Sequence, residues 1–448
     1  MNTACIHRPA RVACVVAILA LVSTGVRAQP AAVPPLTLSL EDAIARAVAT
    51  SHRVADARAR GDAASAIVGE RHASTLPQLS AVGGYTRTNH VDEFGILLPT
   101  NQLRIIYPDI PDNYRARLDV QWPVYTAGRL DAIENAARRE QRAAARDADA
   151  TTADVRLDTT RAFWSLVVAE ASLRVVEESL ARMGAHVRDA RNQVDAGLVP
   201  PNEVLTAQAQ EARQRMLSIQ ARWARDVSEA DLARLVGVDP ATHIAPAATL
   251  DPPTVPVDTD LLITEARQRR PERQALEERT AAAESRQRAA DAGRRPSVAV
   301  AGGLDYARPN SRIFPRVGDW RASWDAGVNV NWPLFDGGRS RYEAAEASAT
   351  VRAVRERLAE LDSSIAFEIR QRVSEIASNL AALDAADVGI RAATEAHRVI
   401  GERFGAGVAT STDVVDAQVA VLQAQLDRTQ VISAARFAEA RLNRALGR

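Results

Sequence analysis

The sequence predicts a mainly α fold with a membrane β-barrel contribution, in which one unit, a strand hairpin followed by very long helices, is written twice. Three observations predict it. A block of motifs near residue 122 returns at residue 332 without a slip in register. Paired segments of about ten residues alternate apolar and polar, the length of a strand tilted across a bilayer. Between them run alanine-rich, proline-free stretches whose apolar residues step by threes and fours, as on one face of a helix.

At the N-terminus, Arg8 and Arg11 precede an apolar run from Val12 to Val22, followed by Val26-Arg27-Ala28. This is the pattern of a secretory signal peptide over residues 1–28, cleaved after Ala28. The run is too short to span a bilayer, which takes roughly 20 residues. Cys5 and Cys14 are the only cysteines and both fall in that segment, so the exported chain has no thiol, in keeping with an oxidising envelope compartment. Cys14 stands at the start of the apolar run rather than after it and is badly placed for lipidation. Beyond residue 28 no stretch is long and apolar enough for a membrane helix, so the mature chain is either soluble or enters a membrane as strands.

Charge narrows the function classes. The 56 basic residues balance 56 acidic ones, so no net basic field is available to hold nucleic acid. Every base is arginine; without lysine, neither a phosphate-cradling loop nor Schiff-base chemistry is available. His52, His72, His90, His186, His243 and His397 are scattered without ligand spacing. No metal, cofactor or catalytic residue is assigned, and the chain is read as a non-enzyme.

The duplication sets the domain boundaries. Trp122-Pro123-Val124-Tyr125-Thr126-Ala127-Gly128-Arg129 returns as Trp332-Pro333-Leu334-Phe335-Asp336-Gly337-Gly338-Arg339, an offset of 332 − 122 = 210. Ala196-Gly197-Leu198 returns as Ala406-Gly407-Val408 at the same offset, and Leu235-Val236-Gly237 as Ala445-Leu446-Gly447. Long continuous helices tolerate no insertions, so a gap-free repeat points to them. Upstream, Leu76-Pro77 and Gly83-Gly84 match Arg295-Pro296 and Gly302-Gly303 at 302 − 83 = 219, which places extra residues in the loop-rich interval holding Pro99, Pro108 and Pro111. The first copy therefore covers 38–237 and the second 261–447. A proline-studded linker, 238–260, joins them.

In the strands, Tyr114, Ala116, Leu118, Val120, Trp122 and Val124 share one face, and Arg115, Arg117, Asp119 and Gln121 the other. Trp324, Ala326, Val328, Val330 and Trp332 alternate in the same way with Asp325, Asn329 and Asn331. Their partners, Gln78 to Thr86 and Ser297 to Tyr306, alternate more weakly. Aromatic residues crowd the strand ends, as at the interfaces of a membrane barrel, so Leu118, Val120, Val328 and Val330 are expected to face lipid. A half-buried soluble hairpin would alternate identically.

The helices follow. A proline-free stretch from Gly128 to about Ala196 gives a helix of roughly 100 Å. Two shorter ones flank it: Glu41 to about Thr75, capped by Ser39 with Asp42, and Asn202 to about Val236. Leu358, Leu361, Ile365, Ile369, Val373, Ile376, Leu380 and Leu383 form one apolar stripe; Met216, Ile219, Trp223 and Val227 form another. No single bundle core needs such length, but a tube does. Four strands cannot close a barrel, for which about eight is the minimum, so several copies must pool theirs.

These residues resemble the TolC family of outer membrane efflux proteins. The opening Leu38-Ser39-Leu40-Glu41-Asp42-Ala43-Ile44 with Ala47, Leu76-Pro77 before the first strand, the Trp-Pro-aromatic-Gly-Arg turn into each long helix and the Ala-Gly-Leu or Ala-Gly-Val turn at its end carry the resemblance over residues 38–447. It implies a homotrimer: a trimeric α-barrel tunnel in the periplasm fused to a shared twelve-stranded β-barrel in outer-membrane lipid. The implied role is the exit channel of a tripartite efflux or type I secretion system, a passive conduit whose partners are a periplasmic adaptor and an inner-membrane pump. Asp413 and Asp416 match the family's acidic gate positions, and Phe404 an aromatic one. The turns Gly197-Leu198-Val199 and Gly407-Val408-Ala409 match its adaptor-docking tips. Each has a plainer reading: Asp413 as a helix cap with Thr410, Asp416 as a solvated residue, Phe404 as packing, the glycines as helix C-caps. In the first copy the gate positions hold Glu203 and Thr206. The other function considered is the periplasmic adaptor itself, which also carries long helical hairpins.

Overall fold

The computed structural model describes residues 36–254 and 258–448, so the signal peptide lies outside the described residues. In the first copy the chain forms β1 (Leu36–Leu38), α1 (Leu40–Thr50), α2 (His52–Ala73), β2 (Gln78–Arg87), β3 (Phe94–Leu97), β4 (Leu103–Tyr107), β5 (Asp112–Tyr125), α3 (Arg129–Asp195) and α4 (Asn202–Val236). The linker holds β6 (Ile244–Pro246), and the second copy follows with α5 (Thr259–Arg269), which starts two residues before the expected boundary, α6 (Pro271–Ala292), β7 (Ser297–Arg308), β8 (Arg321–Asn331), α7 (Arg339–Gly405) and α8 (Ser411–Ala445). Helices α3 and α7 each have 67 residues, about 100 Å at 1.5 Å per residue. Each begins after a glycine with positive φ, Gly128 at 79° and Gly338 at 86°, a conformation that side chains with a β-carbon rarely adopt.

The expected single helix from Glu41 to Thr75 is two helices. Ser51 takes an extended conformation, φ −66° and ψ 118°, and its hydroxyl accepts a bond from the Val54 amide to start α2. Arg270 bends the second copy in the same way, at φ −64° and ψ 118°, because the following Pro271 disfavours helical ψ. The two bends stand 270 − 51 = 219 residues apart, the offset of the strand motifs.

The helices lie side by side in a four-wide layer. At the far end from the strands, α4 packs on α3, α3 on α8 and α8 on α7; nearer the strands the order is α2, α3, α6, α7. Large apolar side chains are concentrated where the short helices meet end to end. One cluster joins Phe163, Trp164 and Leu166 of α3 to Leu38, Leu232, Val236 and Ile244, closed by the parallel pairing of β1 with β6. The other joins Ile365, Ile369 and Ile376 of α7 to Ile263 of α5 and Leu442 of α8. Away from these clusters the contact is alanine: α6 buries Ala275, Ala282, Ala283, Ala289 and Ala292. Small side chains allow close axial approach, which keeps the wall thin. Arginine ladders add lateral ties, among them Arg139 to Glu278 at 3.1 Å, Arg273 to Asp362 at 2.6 Å and Arg444 to Asp154 at 2.7 Å. Ile369→Ala is expected to lower stability by roughly 2–5 kcal/mol, as for fully buried aliphatic truncations; a denaturant midpoint indistinguishable from the parent would show that the second cluster does not hold the layer.

Candidate functional site: a two-faced sheet and a helical tip

Strands β2, β5, β7 and β8 form one antiparallel sheet in that order. Register fixes its faces. Ala81 pairs with Leu118 and Leu118 with Leu304, which pairs in turn with Trp324. Leu79, Val120, Gly302 and Ala326 form the next row, and Trp122, Val300 and Val328 the row after that. Paired residues point to the same side, so one face is apolar from edge to edge and its large side chains, Leu118, Val120, Val328 and Val330 included, are exposed. At one end of this face Tyr85, Tyr114, Trp320 and Tyr306 pack in that order, with successive ring centroids 5.0, 5.9 and 5.0 Å apart. Trp122, Trp332 and Phe335 stand exposed at the other end. Tyr114 and Trp122 are 122 − 114 = 8 residues apart, about 26 Å along a strand, the height of a membrane barrel's apolar band. Trp324 and Trp332 have the same separation but lie four residues further along in register, the stagger of tilted strands.

The opposite face is polar and charged. Arg117 reaches Asp119 at 2.6 Å and Asp325 at 3.0 Å, and Arg115 reaches Asp305 at 2.7 Å. Gly303 makes room for this cluster, since a β-carbon there would fall 2.5 Å from the Arg117 guanidinium. The interval with the extra residues, loop-rich in its prolines, nevertheless carries a hairpin, β3 with β4. Arg316 from the β7–β8 connection lies over its Tyr107 ring at 5.2 Å.

At the far end, both hairpin turns have one geometry. Gly197 at φ 72° donates to the Val194 carbonyl and Leu198 to that of Gln193; Gly407 at φ 72° donates to Phe404 and Val408 to Arg403. These are Schellman caps, so the glycines do end the helices. The residues beside them are not covered, however: Leu198 is 74% exposed and Val408 63%. Val199 and Ala409 are half-buried.

The acidic pair lies on the first two turns of α8, Asp413 on the first and Asp416 on the second. Asp413 closes a capping box, its carboxylate accepting from the Thr410 amide and hydroxyl at 2.8 Å each while its own amide donates to the Thr410 hydroxyl at 3.2 Å. The Thr410 amide, then its hydroxyl, hold the Asp413 carboxyl below its ordinary value, with Arg403 assisting. Asp413 and Asp416 both face solvent, while Val414, Val415, Ala417 and Gln418 between and beside them are buried. Phe404 is turned inward, its ring 5.2 Å from that of His186.

Sequence reasoning missed what ties the two hairpins together here. His186 Nε2 on α3 lies 2.7 Å from the Ser411 hydroxyl on α8. The Ser411 amide donates to the carboxylate of Glu203 on α4 at 3.1 Å. One step higher, Gln418 donates to the Ser179 carbonyl at 3.0 Å and Ser179 to Gln214 at 3.3 Å. Glu203, the first-copy counterpart of Asp413, is therefore spent on capping the other hairpin's helix. An open groove lined by Arg182, His186, Asp189, His397, Gly401 and Phe404 runs along this junction.

With this geometry established, comparison with known proteins is direct. The chain is 29% identical to protein CyaE of Bordetella pertussis over 321 residues, which cover 70% of this chain and 64% of CyaE. It thus spans just under two thirds of that relative's length. It is 22% identical to outer membrane protein TolC of Vibrio cholerae over 368 residues, 80% of this chain and 79% of that one. Its fold is similar to the crystal structure of the outer membrane protein VceC from Vibrio cholerae, with a TM-score of 0.75, 21% identity and coverage of 91% and 96%. The outer membrane efflux protein model matches residues 43–238 and 262–448, one match in each copy. The chain belongs to the outer membrane efflux protein family.

Proposed function

We infer that three copies of this chain assemble into an outer-membrane exit duct, serving an inner-membrane pump through a periplasmic adaptor. The observation that carries this reading is the four-stranded sheet with one uninterrupted apolar face and two unpaired edges. In lipid an open edge leaves backbone groups unsatisfied. β2 and β8 run in opposite directions, so β8 of one copy can continue antiparallel onto β2 of the next until the ring closes. Three copies, the number the family resemblance implies, supply twelve strands. The charged face then lines the lumen. Nothing in the fold or the comparisons favours the adaptor reading of the hairpins.

The helical layer has matching free edges. On α4, Leu205, Met216, Ile219, Trp223 and Val227 are exposed, Trp223 by 68%; on the opposite edge Phe367, Val388 and Val399 of α7 are exposed. A periodic apolar stripe left in water marks an interface. In the ring α4 of one copy meets α7 of the next, and the hairpins form the tunnel wall. Its tip carries the gate: Asp413 and Asp416 from each copy ring the opening, with Phe404 packed behind them. Gly197-Leu198-Val199 and Gly407-Val408-Ala409 present the surface for the adaptor.

The mature protein purified in mild detergent should have the mass of a trimer by light scattering, and a monomeric mass would end the shared-barrel reading. Trp223→Asp combined with Ile219→Asp should reduce the trimer to monomers, since each buried large apolar side chain contributes roughly 1.5–3 kcal/mol at three seams. An intact trimer in that variant would put the seam elsewhere.

A further inference from the structure

Four helices meet at one imidazole near the tip. His186, on α3, is 7% exposed, bonds the buried Ser411 hydroxyl of α8 at 2.7 Å and packs its ring on Phe404 of α7. Glu203 of α4 holds the Ser411 amide from the other side. That amide is one of the four donors a helix start leaves without an intrahelical partner. The first residue of α8, with Asp413 two residues on, is thus held to the first hairpin through both its hydroxyl and its amide.

The charged and titratable groups facing His186 are Asp189 and Arg182 on α3, Glu203 on α4 and His397 on α7, while Asp413 of α8 turns to solvent. Burial pushes the His186 imidazole below its ordinary value; Asp189 pulls it back, His397 pushes it down further, and Glu203 pulls it up. Burial, and then Arg182, likewise push His397 down.

We propose that His186 is a proton-sensitive pin of the gate: neutral, it holds α8 in the closed arrangement, and once protonated it releases α8 and the tip opens. The proposal rests on the reading of the tip as the gate. The sign follows from burial. The site disfavours the cation, so the neutral imidazole's contribution is fully present above the ordinary histidine value of about 6.5 and is lost as pH falls below it.

Planar-bilayer recording of the reconstituted full trimer tests this. Between pH 7.5 and 5.5, above the ordinary carboxylate range, open probability should rise severalfold, in the direction that burial of the imidazole sets. His186→Gln, whose amide can still reach the Ser411 hydroxyl but cannot titrate, should stay closed at both pH values. His397→Gln should keep the parental rise, separating the two imidazoles. Ser411→Ala should be more open at pH 7.5 and lose the pH dependence; it also decides the matter should His186→Gln fail to form trimers. A parental rise in His186→Gln or in Ser411→Ala, or a flat parental profile at small conductance, overturns the pin and leaves the gate standing. Large conductance in the parent at every pH would instead mean that the tip is not the gate.

Discussion

Arginine at Leu118, Val120, Val328 or Val330 is expected to abolish assembly of the barrel, while arginine at Gln121 or Asn329 leaves it intact. All four apolar positions lie on the sheet's continuous apolar face, and Leu118 and Val328 are each midway between a pair of girdle aromatics. An arginine on the lipid face near mid-bilayer costs about 2–4 kcal/mol, and a ring of identical chains repeats the cost in every copy. Gln121 and Asn329 lie on the face of Arg117 and Asp325, where a further guanidinium meets water and carboxylates. The readout is heat-modifiable migration of the outer-membrane fraction, with the unheated trimer band lost in the first set and kept in the second. Equal damage on both faces would show that the alternation belongs to a water-soluble hairpin.

Replacing Asp413 and Asp416 together by alanine is expected to weaken cation preference and block by trivalent metal ions, with trimer yield nearly unchanged. The isolated channel should first show small conductance, its tip being closed without partners. If each copy contributes two carboxylates to one narrow opening, their summed field attracts cations and repels anions. Crowding like charges disfavours ionisation; at Asp413 the bonds from the Thr410 amide and hydroxyl oppose it. Alanine also removes the capping box, which costs roughly 1 kcal/mol. The Asp413→Asn, Asp416→Asn pair is therefore the sharper variant, because asparagine keeps an acceptor for Thr410 while removing the charge. Reversal potentials in a salt gradient decide it. An unaltered cation preference would remove both residues from the gate and leave Asp413 a cap only.

Much of this architecture was legible because the signals are local and repeated. Alternation over Tyr114–Val124 fixes a face without knowledge of the neighbouring strand, and the register then extends that face through Leu304 and Val300, whose own segment alternates weakly. The stripe of Ile365, Ile369 and Ile376 is buried as its spacing required. The stripe on α4 has equally good spacing and stands exposed, because periodicity reveals that a face wants cover but not whether the same chain supplies it. The bend at Ser51 was hidden, since serine suits both helix and cap; its counterpart had Pro271 to announce it. The short strands β1 and β6, with 3 residues each, carry no pattern that could be counted. The His186–Ser411 contact spans 225 positions, and only the folded layer brings those two residues together.

The two copies meet through β5 and β7 with the same antiparallel pairing that β2 and β5, or β7 and β8, make within a copy. A ring of such chains alternates two kinds of half-unit around its circumference, joined covalently in pairs. Six separate but identical halves would inherit every substitution six times over, and every tip would have to anchor and move alike. Fusion breaks that equivalence. In a ring of three such chains, selection could alter three tips and spare the other three, and the two acids already differ in use: Glu203 clamps the first amide of its sister half's helix, while Asp413 caps its own helix and faces solvent.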